Sequence, residues 1–261
     1  MKKNDKEYLL IKSVLLAGSI ITSSGGETFR AEDTMCRMLA AGGASEADVT
    51  ALSTSITLSY TDKNGEVFST TKRIKSRTIN LGNIANVNEL SRRFCSGSIT
   101  VEELYSQLLQ VDSHNEYPEW LIWLCTILTP SAFTILLSGS LTDCIVAGIN
   151  GAIIALITKL HKKLVLHPAI FNVLIGILIA LTSCTLNHFL PLNLNLLILL
   201  PSSIMALLPG VTLTNAVHDL LNADFMSGGA RLMEALVTAT TLAVGIGFGL
   251  ALSATFMGGI L

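Results

Sequence analysis

The sequence predicts an α-helical polytopic membrane protein, with about five transmembrane helices preceded by an N-terminal soluble α/β domain. Three observations lead there. Half of the 261 residues are hydrophobic and only 14% are charged, against roughly 25% in ordinary soluble domains. The charge is unevenly spread: 13 of the 17 Lys and Arg, and 14 of the 19 Asp and Glu, precede Pro118. Beyond it, residues 164–218 and 235–261 contain no Asp, Glu, Lys or Arg, and such runs exceed the roughly 20 apolar residues that cross a bilayer. The chain is therefore read as 1–117 and 118–261.

The first part has its own periodicities. Residues 7–23 predict a helix whose apolar residues, Leu10, Val14, Leu15, Leu16, Ile20 and Ile21, lie on one side. Lys2, Lys3 and Lys6 ahead of this run imitate a secretory signal, but Asp5, Glu7 and Lys12 interrupt the pattern, and a cleaved leader is not expected. Gly25-Gly26 ends the helix, and a second runs over 27–41 to Gly42-Gly43. The period then changes. Val49 to Tyr60 predicts a strand, Asp62-Lys63-Asn64-Gly65 a turn, and Val67 to Ile74 a second strand, together a β-hairpin. Short helices follow over 86–94 and 100–110, the latter opened by a Thr100–Glu103 capping box.

The apolar part divides into segments at about 120–137, 144–158, 169–188, 192–208 and 232–255, with a polar hinge or short helix over 210–230. Trp120 and Trp123 suit a membrane interface, and Pro191 marks the turn between segments three and four. Lys159, Lys162 and Lys163 follow segment two, and Arg231 precedes segment five. With 1–117 in the cytoplasm, every basic residue falls on the cytoplasmic side, as the positive-inside rule requires. The expected location is the inner membrane, multi-pass, with the C-terminus outside.

Several function classes are disfavoured. A net charge of −2 argues against nucleic acid. The five cysteines, Cys36, Cys95, Cys125, Cys144 and Cys184, are odd in number and lack C-x-x-C spacing, so they read as small hydrophobes rather than disulfides or a metal site. No cofactor motif is present: Gly245-x-Gly-x-Gly249 lies inside an apolar segment and reads as small-x-x-x-small helix packing. No H-x-x-x-H or G-x-S-x-G occurs, so an enzyme is not expected.

The polar residues of the apolar part cluster between 209 and 234. Pro209-Gly210 stops segment four. Thr212 or Thr214 can cap a short helix bearing Asn215, His218, Asp219 and Asn222. Gly228-Gly229 offers a hinge, after which Arg231 and Glu234 share a helix face with Asp224 just before them. Either these charges sit in water or pair locally, or they line a pathway at a broken helix, as charged groups near a membrane often do. Asp143 begins segment two, as a dipole-favoured acid or a proton acceptor. In the first part, Glu27, Arg30, Glu32 and Asp33 concentrate on one helix, with Glu27–Arg30 and Arg30–Asp33 spaced for surface ion pairs.

These blocks resemble a known family. Gly26-Glu-Thr-Phe-Arg-Ala-Glu-Asp-Thr34 is similar to the N-terminal signature of the threonine/serine exporter family, G-x-x-[TS]-x-R-x-E-[DE]-[TS]. Arg77-Thr-Ile-Asn-Leu81 and Asn88-Glu-Leu-Ser-Arg92 resemble its later blocks, and Pro209-Gly210 with Leu213 through Arg231 its membrane motif. The resemblance implies proton-driven export of a small-molecule substrate, threonine or serine in some members and dicarboxylates such as succinate in others. Full-length members carry a second set of about five helices. The chain therefore looks like the larger component of a two-component form, partnered by a small membrane protein in a homo- or hetero-oligomer. His218 stands where many members carry Arg or another basic residue, a departure that either makes the charge there depend on protonation or is neutral drift. Two other expectations stand beside transport: a membrane-anchored hydrolase, and a sensing or structural subunit.

Overall fold

The computed structural model describes residues 3–61, 65–75, 77–113, 117–164, 167–190 and 193–257, without the side chains of 3–5, 113, 162–164 and 257. The turns expected at Asp62-Lys63-Asn64 and Pro191 lie outside the described residues, as do the side chains of Lys162 and Lys163. The chain divides into two compact units, Met1–Glu116 with Val211–Met233, and Tyr117–Gly210 with Glu234–Leu261.

In the first unit, α1 (Lys3–Ser23) is packed on several sides, against α2 (Thr28–Gly42), α3 (Leu81–Cys95), α4 (Val101–Ser113) and strand β2 (Ser55–Thr61). A single apolar side does not describe it. Ser13, Ser19 and Thr22 are buried along with Leu10, Val14, Ala17 and Ile20. Ser13 and Ser19 go inside without an unmet donor because their hydroxyls donate to Leu9 O and Leu16 O of the same helix. Met35, Met38 and Leu39 of α2, Val87 and Phe94 of α3, and Leu104 and Leu108 of α4 complete this core.

The sheet has three strands, not two. β1 (Glu46–Leu52), β2 and β3 (Val67–Arg73) form an antiparallel meander in the order β1-β2-β3. The run expected as one strand over 49–60 turns at Ser53-Thr54, which seats Leu52 opposite Ser55. Ser-Thr lacks the Asn-Gly or Asp-Gly chemistry that announces a two-residue hairpin turn. Ile56, Leu58 and Tyr60 of β2 alternate inward. The capping box is present: Thr100 N donates to Glu103 Oε2 at 2.8 Å and Glu103 N to Thr100 Oγ1 at 3.3 Å. α3 starts earlier than expected because the Asn80 side chain accepts from Asn83 N. Of the cysteines only Cys184 is buried, and Cys95 and Cys125 are exposed.

The second unit contains α5 (Glu119–Leu136), α6 (Leu141–Leu164), α7 (Pro168–Phe189), the short α8 (Leu196–Ile204) with a 3-10 turn at Met205–Leu207, and the later part of α10 (Phe225–Met257). Helices at Glu119–Leu136, Leu141–His161, Pro168–Phe189 and Phe225–Phe256 are long and apolar enough to cross a membrane. A fifth span exists only if α8 with its turn is joined across a break to α9 (Gly210–Leu221). α6 runs on through Lys159 and does not end at 158, since lysine is a good helix former. Large apolar side chains such as Leu128, Ile135 and Leu156 are left exposed, as a lipid-facing surface requires. Lys159 Nζ lies 4.8 Å from the centre of the Trp123 ring, an indole-cation contact suited to a membrane interface.

Between α7 and α10 the glycines do what small residues do in apolar surroundings. A Cβ on Gly176 would lie 2.7 Å from Leu242 O, one on Gly249 2.7 Å from the Ala180 Cβ, and one on Gly245 would collide with Val173 O. Buried Asn150 donates to Ser183 Oγ (3.0 Å) and Ser203 Oγ (2.9 Å), joining α6, α7 and α8 by a polar seam the sequence reading missed. Gly245→Ala is expected to destabilise by about 1–3 kcal/mol through overpacking. Gly247→Ala, with nothing within 4 Å of its new methyl, is expected to be neutral or stabilising. Thermal unfolding of the two variants in detergent compares them, and equal midpoints would contradict this packing.

Candidate functional site

The site begins at the turn between α1 and α2. Gly25 has φ +82°, a conformation glycine adopts without penalty. A Cβ on Gly26 would stand 2.5 Å from Ile21 Cγ2 and 2.8 Å from Ile21 O, so only glycine fits. The turn leaves two carbonyl groups available as acceptors. Asn215 Nδ2 donates to Gly25 O at 2.6 Å, and Arg231 Nη2 donates to Gly26 O at 2.7 Å.

Those donors come from a helical hairpin of the same unit. On α9, Asn215, His218 and Asp219 fall at i, i+3 and i+4 and so share a face. The helix closes with Ala223 at φ +62°, Ala223 N donating to Leu220 O and Asp224 N to Asp219 O, a left-handed stop usually made by glycine. Asp224 then caps α10, its Oδ1 accepting from Ser227 N at 3.1 Å. The cap explains why α10 starts at Phe225 and not near 232. It also places Gly228 and Gly229 inside the helix. Gly228 serves close approach, since a Cβ there would meet Leu220 Cγ at 2.7 Å, while Gly229 faces open space. Thr212 and Thr214 lie within α9, which begins at Gly210 after Pro209, and neither caps it.

The α2 N-terminus and this hairpin meet through charge. Arg231 Nε lies 3.2 Å from Asp219 Oδ2, with side chains 5% and 0% exposed. Thr28 Oγ1 lies 2.9 Å from Asp219 Oδ1 and 3.0 Å from Asp224 Oδ2. One hydroxyl carries one proton, so two ionised carboxylates cannot both receive a full hydrogen bond from it. At the rim, His218 Nδ1 and Glu27 Oε1 are 2.6 Å apart, and Glu27 Oε2 is 3.8 Å from Arg30 Nε. Glu32 accepts from Ala51 N at 2.8 Å, covering a donor of edge strand β1. Burial pushes the Glu32 carboxyl above its ordinary value. The Ala51 N–H pulls the other way, while Asp224 and Asp219 add to the rise.

The structure thus gathers Asn215, His218, Asp219, Asp224 and Arg231 with Glu27 and Glu32. Arg30 pairs with Glu27, but Asp33 pairs with Arg37, at 2.8 Å, and not with Arg30. The (i, i+4) spacing aligns the latter pair better. Glu234 lies farther along α10 and is exposed. Asp143 is buried in the second unit, where Oδ2 accepts from Ser140 N and Oγ and Oδ1 from Asn195 N, a helix cap tied to the loop before α8. Thr28 was visible in the sequence as a signature position but carried no charge to mark it. No group of three or more His, Cys, Asp or Glu suited to a metal occurs among the described residues.

The ThrE model of threonine/serine exporters matches residues 12–253, taking in the α2 signature and the α9–α10 hairpin together. The chain belongs to the threonine/serine exporter family. It is 25% identical over 255 residues to the "Probable succinate transporter subunit YjjP" of Escherichia coli, covering 96% of each chain. It is 28% identical over 233 residues to the protein of the same name from Klebsiella aerogenes, covering 88% of this chain and 87% of the relative. It is also 23% identical over 176 residues to the "Probable threonine/serine exporter" of Mycobacterium tuberculosis, covering 67% of this chain and 33% of that one. The chain thus spans about a third of the length of the mycobacterial exporter and nearly all of the E. coli subunit. No solved structure matches it.

The raised Glu32 gives a pH test. The fold favours the protonated acid, so that stabilisation is complete below 4.5, the ordinary value, and is lost as pH rises through the raised one. Glu32→Gln keeps an acceptor for Ala51 N–H. It is expected to lose less stability than the parent as pH rises from 4.5 toward neutrality, read as unfolding midpoints across pH. Parallel curves would contradict the assignment.

Proposed function

We propose that this chain is one component of a secondary transporter that exports small polar carboxylates, threonine- or serine-type amino acids or a dicarboxylate such as succinate, across the inner membrane. The names of its relatives support the substrate range, and near-complete coverage of the E. coli subunit supports a two-component assembly completed by a small membrane protein. In this reading the first unit, with its sheet, is the cytoplasmic soluble domain, and Lys159 and Arg231 lie on the cytoplasmic side.

The observation that carries the proposal is the buried Arg231–Asp219 pair with Thr28 shared between Asp219 and Asp224. Arg231 presents a planar fork suited to a substrate carboxylate. Glu27, Glu32, Asp219 and Asp224 gather there with Arg30, Arg231 and His218, and two of these carboxylates stand within hydrogen-bond distance of Thr28 Oγ1. A substrate carboxylate that takes Arg231 away from Asp219 raises the proton affinity of that acid. Proton and substrate occupancy are thereby linked, reciprocally, which is the requirement for proton-coupled export.

The test is efflux of labelled threonine and succinate from proteoliposomes holding this chain alone, the partner alone, or both. Arg231→Lys and Asp219→Asn in the complete system are expected to cut efflux at least about tenfold per reconstituted molecule, the scale of one lost polar contact to a charged group. Wild-type efflux from both variants would contradict the site. Full efflux from the partner alone would instead assign this chain a structural or sensing role.

A further inference from the structure

Beside that cluster, and joined to it by the Arg30–Glu27 approach, α2 and α3 of the first unit face each other across a cleft of about 530 Å³. Its walls are two helical stripes. Arg30, Asp33, Thr34 and Arg37 follow one another at i, i+3, i+4 and i+7 on α2, and Asn88, Ser91 and Arg92 repeat the spacing on α3. Packed amphipathic helices usually close such a seam with apolar side chains. Here the floor is buried Thr34 and Ser91, short hydroxyls that leave the space open and polar. Three arginines face one carboxylate. Asp33 is taken by Arg37 at 2.8 Å, and among the described residues the ion pair of Arg30 is the 3.8 Å approach of Glu27. Arg92 makes no ion pair among the described residues, whereas the next residue, Arg93, turns away to Gln107 on α4.

We propose that this cleft binds a small dicarboxylate, one carboxylate on Arg92 of α3 and the other on Arg30 of α2, with the Thr34 and Ser91 hydroxyls beneath. Guanidinium forks on opposite walls match two separated planar anions better than one compact anion. The cleft shares no arginine with the Asp219–Arg231 pair, and its occupancy does not rest on the transport reading.

Cys95 lines the same cleft and is exposed, so it reports on the site. The experiment follows alkylation of Cys95 in the detergent-purified full chain, by peptide mass spectrometry, with succinate, acetate or inorganic phosphate at matched ionic strength. Succinate at up to about 10 mM, a range that captures weak millimolar binding, is expected to slow alkylation at least about threefold. Acetate and phosphate are expected to leave it unchanged. Arg92→Ala should abolish protection and Arg93→Ala should keep it, although both remove one positive charge from exposed positions. No protection in the parent chain, or equal protection in Arg92→Ala, would overturn the proposal. Protection by phosphate as strong as by succinate would overturn the two-carboxylate assignment.

Discussion

A buried ion pair governs the arrangement of the first unit. Asp219 and Arg231 stand 3.2 Å apart with almost no exposure. Neither could be buried alone: an unpaired charge in such a place costs about 3–5 kcal/mol when its partner is removed. The pair needs further partners, and the chain supplies them from residues 191 and 205 positions earlier. Gly26 O takes the second arm of Arg231 and Thr28 takes the other oxygen of Asp219. The glycines at 25 and 26 therefore have a chemical role as well as a conformational one. They hold the turn whose backbone carbonyls accept from Asn215 and Arg231.

This dependence explains why the hairpin of α9 and the start of α10 belongs to the first unit although apolar sequence surrounds it. Its polar face has partners there. The left-handed Ala223 stop brings Asp224 back toward Asp219, so that both acids reach the same hydroxyl. The result is a cluster in which one hydroxyl stands within hydrogen-bond distance of two carboxylates and one of these acids pairs with a buried guanidinium, the arrangement on which the proposed coupling rests. The second unit solves a different problem, packing apolar helices without water. It does so with glycine contacts between α7 and α10 and with hydroxyls around Asn150.

Much of this was legible in the sequence because it is written in composition and local period. The long uncharged runs, the Thr100–Glu103 cap and the packing role of Gly245 and Gly249 need no knowledge of distant residues. So did the grouping of Asn215, His218 and Asp219, which helix spacing places on one face. What escaped depends on long-range pairing. The turn at Ser53-Thr54 lacks turn-specific residues. Glu27 meeting His218, and Thr28 meeting two acids, link positions about 191 residues apart. Asp224 was legible as a charge, but its service as the α10 cap shifted the start of that helix. The stripes facing each other across the α2–α3 cleft are each visible as a period, while their opposition is a tertiary fact.

The most direct measurement of the central claim is a double-mutant cycle on Asp219 and Arg231, using Asp219→Asn, Arg231→Gln and both together, read as unfolding free energy of the purified chain. If the pair is the constraint described, each single substitution costs about 3–5 kcal/mol, and the double costs less than their sum by more than about 1 kcal/mol. Additive costs, or single substitutions without effect, would contradict it.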